Sequence, residues 1–88
     1  MAIKLEPDLS SAYFNKGIYY IDVKNYKCAL DNIDTAVLLE PNDAFNIENR
    51  GELFYFCLKN KKSACVDWEK AAALGNSKAQ DELRKYCK

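Results

Sequence analysis

Two short stretches decide how this chain is read: Tyr13-Phe14-Asn15-Lys16-Gly17-Ile18-Tyr19-Tyr20 and Ile47-Glu48-Asn49-Arg50-Gly51-Glu52-Leu53-Phe54. Laid over one another at an offset of 34, they pair Asn15 with Asn49 and Gly17 with Gly51, and the same offset pairs Ala2 with Ala36, Leu5 with Leu39, Glu6 with Glu40 and Pro7 with Pro41. Beyond the second glycine the offset becomes 35, matching Ala29 with Ala64, Asp34 with Glu69 and Ala36 with Ala71. One residue has been added, and the reading places it in the turn at Leu58 to Lys62, because loops absorb insertions more easily than packed helices.

Each unit reads as two helices. Ala12, Tyr13, Lys16, Gly17, Tyr20 and Val23 keep the i, i+3/i+4 spacing of a helix face, Lys24-Asn25 interrupts it, and Ala29, Leu30, Ile33, Ala36, Val37 and Leu39 resume it before Pro41. The second unit repeats this with Ile47, Arg50, Gly51, Phe54 and Cys57, then Ala64, Cys65, Trp68, Ala71, Ala72 and Leu74. Ser10 or Asp8 is expected to cap the first helix, Pro41-Asn42-Asp43 to separate the units, Gly75 to end a helix, and Ser77-x-x-Gln80 to open a fifth as a capping box. Ala79 and Leu83 give that last helix an apolar seam. Mid-helix glycine is unfavourable by about 1 kcal/mol against alanine, so Gly17 and Gly51 imply close approach of a partner helix, with Ala29 and Ala64 as the facing small residues. Tyr20, Ile33, Phe54 and Trp68 then fill the space beside them.

These positions resemble the tetratricopeptide repeat signature. Tyr13-x₂-Lys16-Gly17-x₂-Tyr20, Ala29-x₃-Ile33-x₂-Ala36 and Pro41 match it once, and Ile47-x₂-Arg50-Gly51-x₂-Phe54 with Ala64-x₃-Trp68-x₂-Ala71 match it again. Lys16 and Arg50 depart from the family's leucine, and Gly75-Asn76 stands where it usually has proline; the two long side chains are expected to lay their stems on apolar surface and send their charges to water. The segment from Asp67 to Gln80 resembles the C-terminal end of bacterial proteins of this family. The resemblance implies an all-α, right-handed α-α superhelix: a tail of a preceding repeat at 1–9, repeats at 10–43 and 44–75, and a capping helix at 76–88, within a single domain. Residue 1 accordingly reads as a cut inside a longer array.

The family's members are usually scaffolds that hold a peptide or protein against the face made by the first helix of each repeat. Carried over, the contact residues are Phe14, Asn15, Ile18 and Asp22, with Ser11 and Ile21 beside them, and Phe45, Glu48, Asn49, Glu52, Tyr55 and Phe56. This is a mostly apolar groove with asparagine amides to grip a peptide backbone. One subgroup clamps C-terminal carboxylates with basic and amide residues; Asn49 fits that pattern, but Ser11, Phe14, Ile18 and Phe45 do not. Self-association is the alternative function, since stacked repeats expose apolar ends and the halves carry opposite charge excesses: 4 bases and 7 acids in 1–44, 9 bases and 6 acids in 45–88.

Composition bears on the remaining classes. Over 88 residues, 13 basic and 13 acidic side chains cancel, which argues against a nucleic-acid or anionic-membrane surface; the Lys59, Lys61 and Lys62 cluster reads as a solvated turn. No apolar run reaches the 18 residues or so of a membrane span. With no histidine, most proton-transfer and zinc schemes are lost. Cys28, Cys57, Cys65 and Cys87 lack close Cys-x₂₋₄-Cys pairs and sit in apolar helical patterns, so they are expected to be buried, reduced thiols in a cytoplasmic protein, with Cys87 the exception, exposed near the end, and with little helicity lost on reduction or chelation. No enzyme activity, cofactor or metal is expected; Asp22, Glu48 and Glu52 are ordinary surface carboxylates on this reading.

Overall fold

In the computed structural model, which describes residues 9–87, the periodic segments form five α-helices: α1 Leu9–Asp22, α2 Tyr26–Leu39, α3 Ala44–Glu52, α4 Lys61–Ala73 and α5 Ser77–Tyr86. The chain is all-α, with no strand among the described residues, and it divides into two compact units between Pro41 and Asn42. Among the described residues no helix is long and apolar enough to cross a membrane. The expected tail of a preceding repeat, including Ala2, Leu5, Glu6, Pro7 and the candidate cap Asp8, lies outside the described residues except for Leu9.

In the first unit α1 and α2 form a hairpin around Ala29, Ile33 and Ala36, all fully buried. Gly17 explains the close fit: a Cβ built there would lie 2.5 Å from Ile33 Cγ1 and 3.2 Å from the Ala29 carbonyl oxygen. The glycine thus seats the large Ile33 side chain on the α1 backbone, with Ala29 beside it, rather than opposing a small residue alone. Ser10 is not a cap. It lies inside α1, buried, and its hydroxyl donates to the Ala36 carbonyl at 3.3 Å, tying the start of α1 to the end of α2.

The second unit uses the same device with a larger group. A Cβ on Gly51 would meet Trp68 Nε1 at 2.5 Å, and the indole, fully buried, donates from Nε1 to the Glu48 carbonyl at 3.2 Å. Ile47, Leu53, Ala64 and Ala71 complete the core, and α5 adds Ala79. Both hairpin turns share their chemistry: Lys24 and Lys59 adopt left-handed φ of 65° and 57°, and the asparagine that follows each caps the next helix, Asn25 accepting from the Cys28 amide and Asn60 from the Ser63 amide. Asp43 caps α3 by accepting from the Phe45 and Asn46 amides. Gly75, at φ 100°, ends α4 as expected. The cap of α5 is Asn76, which accepts from the Ala79 amide, so Ser77 is the first helical residue and the expected box does not form. Gln80 instead reaches back to the Ala72 carbonyl at 3.4 Å.

The extra residue of the second unit is not in the turn. Val23 of the first turn bonds to the carbonyl four residues back, whereas its counterpart Leu58 bonds to Leu53, five back, and residues Leu53–Cys57 form a π turn that continues α3. The left-handed lysine and asparagine cap that follow are retained, so the helix took the insertion and the loop kept its geometry.

The cysteine expectation also changes. Cys65 and Cys87 form a disulfide with Cα atoms 5.9 Å apart, while Cys28 and Cys57 are free thiols, half-buried rather than enclosed. The connection Leu74–Asn76 folds α5 back along α4, which brings the residue after α5 to the second turn of α4. Sequence separation of 22 residues hid that proximity.

Candidate functional site

α3 and α5 place three carboxyl groups together. Glu48 and Glu52, one turn apart on α3, and Glu82 on α5 have carboxylate oxygens within 4.8 Å of one another. The site is deep: Glu48 is 1% exposed and Glu82 7%, while Glu52 is half-buried at its mouth. Lys78, one turn before Glu82, sets its ammonium 2.8 Å from Glu52 Oε2 and 3.8 Å from Glu48 Oε2. Asn49 Nδ2 donates to Glu48 Oε1 at 3.4 Å and to the Phe45 carbonyl at 2.8 Å.

Three carboxylates beside one ammonium cannot all ionise at ordinary cost. Burial is the main force that pushes the Glu48 carboxyl up to about 9, and the hydrogen-bonded, like-charged Glu52 and Glu82 add to it. Burial likewise raises Glu82 to about 7; a hydrogen bond with Glu48 works the other way, and Glu52 raises it further. At Glu52 burial is outweighed by hydrogen bonds from Glu48, Lys78 and Glu82, so it titrates below the usual carboxylate range and carries the negative charge. The hydrogen bond to Glu52 raises Lys78 against the opposing effect of its desolvation. Near neutrality the cluster therefore holds a Glu52–Lys78 ion pair with protonated Glu48 behind it.

A second group lies on the same unit. The rings of Tyr55 and Phe56, delivered by the π turn, meet Tyr86 at 4.8 and 5.5 Å between centroids, and Tyr55 and Tyr86 both approach Trp68, at 5.6 and 5.8 Å. No protein-family model and no curated protein matches the chain. The site must be read from its own chemistry.

The residues expected to contact a peptide fall into different surroundings. On α1, Asn15, Ile18 and Asp22 are exposed and Phe14 is half-buried. On the second unit Phe45 and Phe56 are exposed, Asn49 and Tyr55 half-buried, and Glu48 is enclosed, so Glu48 cannot meet a ligand as a surface group. Asn49 spends its amide protons on its own helix and on Glu48. Tyr55 and Phe56 are joined by ring contact, and Glu48 and Glu52 by the carboxyl cluster.

Arg50 also departs from expectation. Its guanidinium does not reach for water but grips buried Asp67 through two bonds, Nε to Oδ2 at 2.9 Å and an amino nitrogen to Oδ1 at 2.8 Å. The bidentate pair bridges α3 and α4 where the resembled family uses leucine. Lys16 does follow the snorkelling expectation: it is exposed, with its ammonium over the Tyr13 ring. Glu82 and Lys78 are not among the residues expected from the sequence to line a site. A signal was present, since Ala79, Glu82, Leu83 and Tyr86 share one i, i+3, i+4, i+7 face.

Proposed function

We propose that the chain is a pair of helical hairpins of the tetratricopeptide kind, closed by α5, that binds a protein or peptide segment through the first helix of each hairpin. The observation that carries this reading is the twice-used hairpin design. In each, a glycine on the first helix seats a large side chain from the second, followed by a left-handed lysine and an asparagine cap. That design consumes one face of α1 and α3 and leaves Ile18, Tyr19, Phe45 and Phe56 exposed to a ligand. Isolated exposed apolar groups are ordinary; two on the first helix of one hairpin, and two on the first helix of the other and the turn that continues it, give each hairpin apolar groups to offer a ligand.

Display of random peptides against the full chain, followed by amide chemical-shift mapping with the selected peptide, tests the reading. Shifts at Phe14, Ile18, Phe45 and Asn49, lost with Ile18→Ser and Phe45→Ser while helicity is kept, are expected. A selected peptide that leaves these amides unmoved would place the ligand elsewhere. A mass that grows with protein concentration and falls with added salt would instead support charge-guided self-association.

A further inference from the structure

We propose that Glu48, Glu52 and Glu82 form a binding site for a hard divalent cation, Ca²⁺ in the first place, which takes over the position now held by the Lys78 ammonium. Acidic side chains gathered on a helix surface would not justify this. Here the decisive observation is that Glu48 Oε2 and Glu82 Oε1, on side chains that are almost wholly enclosed, receive no hydrogen bond from an amide, a hydroxyl or the Lys78 ammonium, so that only a proton shared among the three carboxyls serves them. Buried acceptors are normally satisfied. Lys78 reaches only Glu52 at hydrogen-bond distance, so it neutralises one of the three carboxylates and leaves the deeper two to share whatever cation or proton is at hand.

The geometry suits the larger hard cation. Three oxygens no more than 4.8 Å apart can lie within about 2.8 Å of a common centre, so a small contraction gives the 2.3–2.6 Å or so of Ca²⁺–oxygen bonds. Mg²⁺ requires a tighter, near-ideal octahedron at about 2.0–2.1 Å and dehydrates reluctantly, so three carboxylates fixed on two helices would have to contract further for it than for Ca²⁺. The donor set is all oxygen, unlike the nitrogen and sulfur set that zinc prefers, so the lack of histidine and of paired cysteines does not bear on it. Access is through the Glu52 side: the Lys78 side chain is 64% exposed and can swing into water, and the same opening admits the waters that would complete the coordination. Glu48 and Glu52 are shared with the expected peptide contacts but Glu82 is not, so Glu82→Gln separates loss of cation binding from loss of peptide binding.

Calorimetric titration of the full chain with CaCl₂ alone, after removal of trace metals, is the test, with amide shifts mapping the site. Saturable one-to-one binding is expected, with shifts confined to 46–52 and 78–83, absent with NaCl at matched ionic strength, and accompanied by proton release at pH 7.5. Glu82→Gln, which copies the uncharged carboxyl in shape, should weaken binding about tenfold or more, and Lys78→Met should strengthen it by removing the competing cation. If Glu82→Gln fails to fold, Glu52→Gln at the half-exposed mouth carries the same expectation. No saturation by roughly 10 mM Ca²⁺, shifts centred on other acidic residues, or variants that bind as the parent does would each overturn the proposal.

Discussion

The two hairpins of this protein solve one packing problem with different materials. In α1–α2 the glycine accepts Ile33, the helix runs unbroken to its turn, and among the described residues the buried polar side chain is that of Ser10. In α3–α4 the glycine accepts Trp68, the helix widens into a π turn, and with α5 the unit encloses Glu48, Asp67 and Glu82 and closes a disulfide. Among the described residues the first hairpin keeps the glycine contact and buries no charged side chain. The second keeps that geometry while burying charge, which costs stability unless each charge is paired or protonated. The difference shows that a shared scaffold contact, glycine against a large group, leaves freedom for chemistry on the rest of the helix.

The largest expected effect probes that contact itself. Trp68→Ala should destabilise the second unit by about 3–5 kcal/mol, since it empties the seat on Gly51 and leaves the Glu48 carbonyl without its indole donor, and Ile33→Ala should cost the first unit about 2–5 kcal/mol. Native-state hydrogen exchange resolves the two units separately. Loss of protection across both units from either single substitution would break the comparison, because each core would then depend on the other.

The buried carboxyls set the second expectation. A group whose folded pKa lies above its unfolded value binds more protons when folded, so its stabilisation is present at low pH and is lost as pH rises through the folded value. Glu82 at about 7 and Glu48 at about 9 therefore make the second unit less stable from about pH 5 upward, through 7 and on toward 9. Glu52, which is lowered, acts in the opposite sense: it stabilises above its unfolded value, and that contribution fades as acid protonates it. Trp68, the single tryptophan, makes fluorescence-monitored denaturation a probe of this unit. Its midpoint should fall between pH 5.5 and 8.5, with a slope that Glu82→Gln flattens, while exchange in α1 and α2 follows a different pH profile. A midpoint that rises over that range would refute the buried-cluster account.

Reduction of the Cys65–Cys87 bond ranks next. A loop of this size typically contributes about 2–4 kcal/mol, chiefly by restricting the unfolded chain, and the loss should fall on α4 and α5 with α1–α2 untouched. Equal loss of protection in both units on reduction would mean that the bond does more than close its own helix pair. Helicity at room temperature can survive reduction even so, because the Trp68 core remains.

How much of this was legible in the sequence follows from the range of each interaction. The glycines, Pro41, the Lys24-Asn25 break and the start of a fifth helix are local signals, and the helices follow them closely. The partner of each glycine was named only in part: Ile33 and Trp68 were placed beside the contact, although they are the contact. An added residue produces the same offset whether it enters a loop or a helix, so only backbone hydrogen bonds could reveal the π turn. The disulfide and Glu82 depend on α5 folding back across α4, a relation between residues more than twenty positions apart that no spacing records. Arg50 was misread for a similar reason, because Asp67 sits on the next helix.

The smallest expected effect tests whether the two turns are as alike as their shared left-handed lysine and asparagine cap imply. Asn25 accepts from the Cys28 amide at 3.3 Å and Asn60 from the Ser63 amide at 3.1 Å, both at exposed positions where cap replacement typically costs about 0.5–1 kcal/mol. Asn25→Ala and Asn60→Ala should therefore lose similar stability, each in its own unit, as measured by exchange at the first turn of α2 and of α4. If Asn60→Ala costs several times more, the turn after the π segment is sharing the strain of the inserted residue, and the insertion cannot be assigned to the helix alone. Equal losses would place its whole consequence upstream, in Leu53–Cys57, where the π turn points Tyr55 and Phe56 toward Tyr86.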